Sequence, residues 1–140
     1  MSRRLEVLRA ILALAKATLP GAEVVGLDDH EDLPTRVRTG GRIVVRAGDP
    51  GDPEIDLSPL AYNWTHRIPL EVTMADEDAL DGALMALDAA IAADRQLGGL
   101  CDWIEPEAPS TQNVRADNAP GLRGTLLSLV ASYVTDTPLT

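Results

Sequence analysis

The sequence predicts an α+β domain, a mostly antiparallel sheet of four to five strands with two helices packed on one face. Three observations carry this. From Trp64 to Met74 apolar side chains recur at every second residue, as in a strand with one buried face. Residues 3–18 and 76–97 instead space their apolar side chains three and four apart, which gives each a single helical stripe. Between these segments, Gly/Pro-rich punctuation isolates short Val/Ile-rich runs. The chain of 140 residues is long enough for one domain with its own core. With no Phe, two Trp and two Tyr, that core must be built from Leu, Val, Ile and Ala.

The expected element order is α-β-β-β-α-β-β. In the first helix Leu5, Leu8, Ile11, Leu12, Ala15 and Leu19 make the stripe, and Pro20-Gly21 ends it. Residues 22–27 form a short strand. Residues 28–41 are polar and punctuated, so they read as a long loop with a weakly paired segment at 35–38. Residues 42–48 form the next strand, closed by the turn-rich "GDPGDPEIDLSP".

The strand around Trp64–Met74 buries Trp64, His66, Ile68, Leu70, Val72 and Met74 and leaves Thr65, Arg67, Glu71 and Thr73 wet. Pro69 cannot donate to a ladder, so it belongs at an edge or a bulge. The second helix is capped by Asp76 or Asp78 and presents Leu80, Leu84, Leu87 and Ile91. Its Ala83, Ala90 and Ala93 let it approach a sheet closely. Gly98-Gly99 supplies a left-handed stop. Residues 100–108 form a strand, followed by a loop through 108–121. Leu122, Leu126, Leu129 and Tyr133 then follow a helical spacing, while Leu129–Thr135 alternates and is rich in Val, Tyr and Thr. The β-type composition decides for a strand.

Composition excludes several function classes. A net charge of −10 repels phosphate backbones and anionic membranes, so general nucleic-acid binding is not expected. The single Cys101 rules out an intramolecular disulfide and a multi-cysteine zinc site, and its apolar neighbours suit a buried thiol. Arg9 and Lys16 interrupt the apolar run near the start, which reads as an amphipathic helix rather than a signal peptide. No stretch approaches the ~20 apolar residues of a membrane span. The expected protein is soluble and intracellular when made.

The candidate chemistry is thin. A phosphate-cradling glycine loop precedes a helix, whose N-terminal amides attract the anion. Gly98-Gly99 follows a helix, at the negative end of its dipole and between Asp94 and Asp102, so it reads as a structural joint. "DDHED" at 28–32, with His30, and the carboxylates Asp49, Asp52, Glu54 and Asp56 lack the spacing of a calcium loop and read as solvated turns. His66 lies on the apolar face of its strand with no nucleophile marked by motif. The Gly-x-Ser-x-Gly nucleophile elbow is absent. The residues therefore nominate no catalytic, cofactor-binding or metal site. Arg36, Arg38, Arg42 and Arg46 lie between two acidic segments. They read either as a solvated face or as a charge-paired contact between identical subunits arranged head to tail.

The segment "IVVRAGDPGDPEIDLSPLAYNWTHRIPLEV", a helix, and then "AADRQLGGLCDWIE" before a final apolar strand resemble the tail-terminator (tail-completion) proteins of long-tailed phages and related gene-transfer particles. The most specific part is the joint Asp94-Arg95-x-Leu97-Gly98-Gly99, and the resemblance runs from about residue 5 to 136. It implies a structural virion protein, a hexameric ring that caps the tail tube, terminates its polymerisation and joins tail to head. The implied partners are further copies of the chain, the tail tube protein and the head–tail connector protein. DNA would pass through the lumen without specific binding, and no membrane is involved. The implied location is the tail–neck junction of a particle assembled from protein made in the bacterial cytoplasm. The family brings no catalytic residues and no cofactor. The candidate subunit or tube interface comprises Arg36, Arg38, Arg42, Arg46, Asp49, Asp52, Tyr62 and Trp64. Two other readings compete: a neck or head–tail adaptor, and a small metal-dependent enzyme or binding module using His30, His66 and the carboxylates.

Overall fold

The computed structural model describes residues 1–27, 37, 39–110 and 122–140. Helix α1 (Arg3–Thr18) leads to strands β1 (Glu23–Gly26), β2 (Arg42–Val45), β3 (Glu54–Leu57) and β4 (Leu60–Met74). Helix α2 (Glu77–Ala93), β5 (Trp103–Pro106) and β6 (Arg123–Thr135) complete the chain. Six strands form one sheet in the order β1-β2-β4-β6-β5, with β3 also paired to β4. Among the described strands only β1 and β2 run parallel; the other pairs are antiparallel. This is the expected α+β class, with one strand more than the sequence suggested.

Both helices cover the same face. Val7, Leu8, Ile11 and Ala15 of α1, and Leu80, Ala83, Leu87 and Ile91 of α2, pack with Ile43, Val45, Ile68, Leu70, Val72, Leu127, Leu129 and Ala131 of the sheet. Each fully buried Leu or Ile contributes about 1.5–3 kcal/mol relative to exposure. Both helices begin at side-chain caps. Ser2 Oγ accepts from the Leu5 amide at 3.3 Å, and the Asp76 carboxylate from the Ala79 amide at 2.7 Å.

β4 and β6 form the spine, in register from Tyr62 opposite Thr135 to Met74 opposite Arg123. The even-numbered residues from His66 to Met74 are buried as their alternation requires, with His66 the polar exception in the core. The last element is a strand from Arg123 to Thr135, including its first half, where the leucines follow a helical spacing.

β2 and β3 are two parts of one interrupted strand lying along β4. Val45 faces Leu70 and Glu54 faces Asn63, so nine residues advance on one side against seven on the other. The first extra residue falls between Val45 and the Asp49–Arg67 bridge, where Gly48 takes φ +68°. A Cβ on Gly48 would collide with the Arg67 carbonyl oxygen. Pro69 sits opposite this offset in an interior strand. Its carbonyl accepts from the Arg46 amide at 3.0 Å, so its donorless nitrogen faces the same side, where β2 has left the ladder. The bulge rather than the edge accommodates the proline.

Beyond the offset, β3 and the first residues of β4 form a hairpin arm turned by Ser58 and Pro59. The sequence marked this stretch as turn because Pro50, Pro53 and Gly51 dominate it. The alternating Glu54-Ile55-Asp56-Leu57 nevertheless pairs with Leu60–Asn63.

Helix α2 also ends earlier than expected, at Ala93 with Asp94 as its cap. Gly98-Gly99 belongs to a separate 3-10 turn, Leu97–Gly99. Leu97, Gly98 and Gly99 all have positive φ, at 48°, 69° and 97°. The glycines thus reverse the chain between α2 and β5 but do not stop the helix. β5 is correspondingly confined to Trp103–Pro106 within the expected 100–108.

Candidate functional site

The residues expected to form one interface divide between the two faces of the sheet. Arg42 and Arg46 lie on the face away from the helices, because Ile43 and Val45 between them point into the core. Each already has an acidic partner in its own chain. Arg42 lies 3.5 Å from Glu23 on the adjoining strand, with only 14% of its side chain exposed. Arg46 reaches both carboxylate oxygens of Glu71, at 3.1 and 3.4 Å. Across the same face, Arg67 pairs with Glu107 at 2.8 Å. Exposed pairs of this kind contribute ~0–1 kcal/mol each, but they fix how charge is distributed on the face.

Arg36, Arg38 and the His30 segment lie outside the described residues. Asp49 and Asp52 are exposed near the offset, and the Asp49 carboxylate accepts from the Gly51 amide at 2.8 Å. Tyr62 and Trp64 have the parity of the core residues of β4 and therefore share the helix-side face. Trp64 is half-buried, and its indole N–H donates to Thr135 Oγ1 at 2.9 Å. No single patch unites the two arginines with the two aromatics.

The helix-side face does not end where the helices end. Residues directly opposite in an antiparallel pair share a face, so Ile55 joins Tyr62 and Leu57 joins Leu60. Parity along β4 places Leu60, Tyr62 and Trp64 together, continuous with His66 and Ile68. Ile55, Leu57 and Leu60 are 52%, 82% and 52% exposed. Core-type alternation therefore runs on past its cover. Beside it, a groove of about 450 Å³ opens at the N-terminus of α1, lined by Arg4, Pro50, Trp64, Tyr133, Pro138 and Leu139. Arg4 makes no ion pair with any described residue. Sequence analysis named Tyr62 and Trp64 of this surface but missed Ile55, Leu57, Leu60 and Arg4; the available signal was the period of two at 55/57 and again at 60/62/64.

Behind the groove, His66 is fully buried. Its Nε2 lies 2.7 Å from the Ala47 carbonyl and its Nδ1 3.0 Å from the Tyr133 hydroxyl. A carbonyl can only accept, so Nε2 carries the proton and Nδ1 accepts from Tyr133. Burial lowers the His66 pKa from its ordinary value of 6.5 more than the Ala47 carbonyl raises it. The imidazole is thus a neutral brace tying β4 to the bulge and to β6. The Tyr133 hydroxyl is likewise pushed above its ordinary range by burial.

Cys101 is 5% exposed, and its thiol is pushed up to about 11, first by burial and then by Asp102 and Asp94. That suppresses the thiolate needed for nucleophilic chemistry. Among the described residues, no cluster of three or more His, Cys, Asp or Glu is placed to hold a metal ion. No described helix is long and apolar enough to cross a membrane. No protein-family model matches the chain, and none of the curated proteins matches it.

Proposed function

We propose that this chain is an assembly subunit, a ring-forming protein that caps a phage-type tail tube, terminates its growth and joins it to the head. One observation carries the reading. A surface patterned for burial continues past the helices onto the projecting β3–β4 arm, where Ile55, Leu57 and Leu60 remain open to solvent. A chain that patterns a face for burial and leaves it bare is built to have neighbours. The resemblance in "IVVRAGDPGDPEIDLSPLAYNWTHRIPLEV" and "AADRQLGGLCDWIE" identifies the kind of assembly. The −10 charge suits a lumen through which DNA slides without displacing its counterions.

In this reading the partners are further copies in a hexameric ring, the tail tube protein and the head–tail connector protein. The intrachain pairs of Arg42 and Arg46 give those arginines a structural role within each subunit. Deleting the gene from a producing strain tests the function. Electron micrographs should show overlong, headless tails, and the wild-type gene supplied in trans should restore uniform length. Tails of normal length in the deletion strain would reject the proposal.

A further inference from the structure

We propose that the outer flank of α1 in one copy of this chain packs against the outer flank of α2 in the next, setting Arg9 and Lys16 against Asp88 and Asp81. This names the subunit contact of the proposed ring, and it rests on that reading. The two helices carry opposite charge. α1 has Arg3, Arg4, Arg9 and Lys16 against the single Glu6, whereas α2 has Glu77, Asp78, Asp81 and Asp88 and no basic residue. Arg9, Lys16, Asp81 and Asp88 are all exposed, and none makes an ion pair with a described residue.

The opposite charges lie at opposite margins of the molecule. β1 and β5 stand at the two ends of the strand order. Leu12 of α1 overhangs β1, since a Cβ on Gly26 would lie 3.4 Å from its Cδ1. Leu5 stands two turns before Leu12 on the same side, and Arg9 and Lys16 each follow one of these leucines by four residues. Asp81 and Asp88 instead rim a groove of about 400 Å³ between α2 and β5, walled by Leu84, Met85 and Pro106. Glu107 also lines it but already pairs with Arg67.

Charge complementarity selects the occupant of this groove. α1 on α1, or α2 on α2, would set like charges together, so neither flank suits a two-fold contact with itself. Joining two different flanks from opposite margins is heterologous, and it closes into a ring when the rotation per subunit divides a full turn. Seven residues, about 10 Å of helix, separate Arg9 from Lys16 and Asp81 from Asp88 alike. Within one chain the helices are antiparallel: α1 turns back into β1, β4 turns back into α2, and β1 opposes β4 in sense. Subunits laid side by side with one strand sense keep that polarity across the contact. Arg9 then meets Asp88 and Lys16 meets Asp81. Between them the half-buried Leu12 meets Leu84 and Met85.

The test uses the full chain at low ionic strength, with light scattering over a concentration series. Wild type should assemble. Arg9→Glu with Lys16→Glu, and separately Asp81→Lys with Asp88→Lys, should each dissociate at least about tenfold more readily. All four residues are exposed, so both variants should retain the wild-type circular dichroism and melting temperature. Mixed in equal amounts, the two variants should assemble like wild type, because each then meets opposite charge on both flanks. Folded variants that assemble alone like wild type, or that fail to recover on mixing, would overturn this contact and leave the ring itself standing. Wild type that stays monomeric at every concentration, alone and with the tail tube protein, would overturn the contact and the ring together.

Discussion

The Tyr133 hydroxyl donates to Nδ1 of His66 at 3.0 Å, and the two rings meet edge to face at 68° with centroids 6.0 Å apart. The contact links the two longest strands where their sheet passes beneath the start of α1. Tyr133→Phe would keep the ring packing and strip the donor. The buried Nδ1 would then lack a partner, at a cost of about 1–3 kcal/mol. A lower urea midpoint with an unchanged slope is expected. An unaltered midpoint would mean that water or a different tautomer satisfies the ring.

The same histidine sets a pH dependence. Its folded-state pKa is depressed below 6.5, so below about that pH the unfolded chain binds a proton that the folded chain refuses. Stability should therefore fall as pH drops through and below 6.5, by at most ~1.4 kcal/mol per pH unit from this group. Urea titrations of wild type and His66→Gln at a series of pH values isolate the contribution. Parallel curves for the two would assign the acid sensitivity elsewhere.

Gly98 and Gly99 hold positive φ with open space where a Cβ would project. Valine at either position should cost ~1 kcal/mol or more through backbone strain alone, and asparagine distinctly less. Gly48→Ala should be worse than Gly98→Ala, because its Cβ would also strike the Arg67 carbonyl. Thermal melts of these variants should reproduce that ranking.

Arg42 and Arg46 should respond differently to charge reversal. Arg46→Glu loses a pair with Glu71 whose members are 46% and 40% exposed, so its effect on stability should stay within about 1 kcal/mol. Arg42→Glu places a second carboxylate beside Glu23, which is only 12% exposed. It should destabilise the fold more. Equal melting temperatures for the two would show that the β1–β2 edge relaxes freely.

Cys101 should resist a thiol reagent in the native protein near neutral pH and react with one equivalent after denaturation. Its thiol is pushed up to about 11 and the residue is 5% exposed. Rapid native labelling would show that the turn before β5 opens readily.

Much of this architecture was legible because the residues obey one period at a time. Trp64–Met74 reads as a strand, and Leu80, Leu87 and Ile91 as a helix stripe, since one cover buries each set. The last strand was harder because its leucines serve two faces. Leu126 is 39% exposed on the face away from the helices while Leu129 and Tyr133 are buried on the other, and taking the three together produced a false helical spacing. β3 was hidden by prolines that pin the chain just before it. The candidate interface was read from charge along the chain, and linear order cannot reveal that Arg42 and Arg46 have Glu23 and Glu71 across the ladder. Arg4 reads as one more solvated cation in the first helix until the sheet brings Trp64 and Tyr133 beneath it.

The two surplus residues between β2 and β3 give the arm a phase. One extra residue turns every following side chain over, and the second turns them back, so Ile55 faces the same way as Val45. Length changes between residues 46 and 53 should then obey a parity rule. Removing two residues would shorten the path and leave Ile55, Leu57 and Leu60 on their present side. Removing one would leave the hairpin intact but force β2 to slip or the arm to roll over, exchanging its aliphatic side for Glu54 and Asp56. Natural variation in this stretch should accordingly come in steps of two.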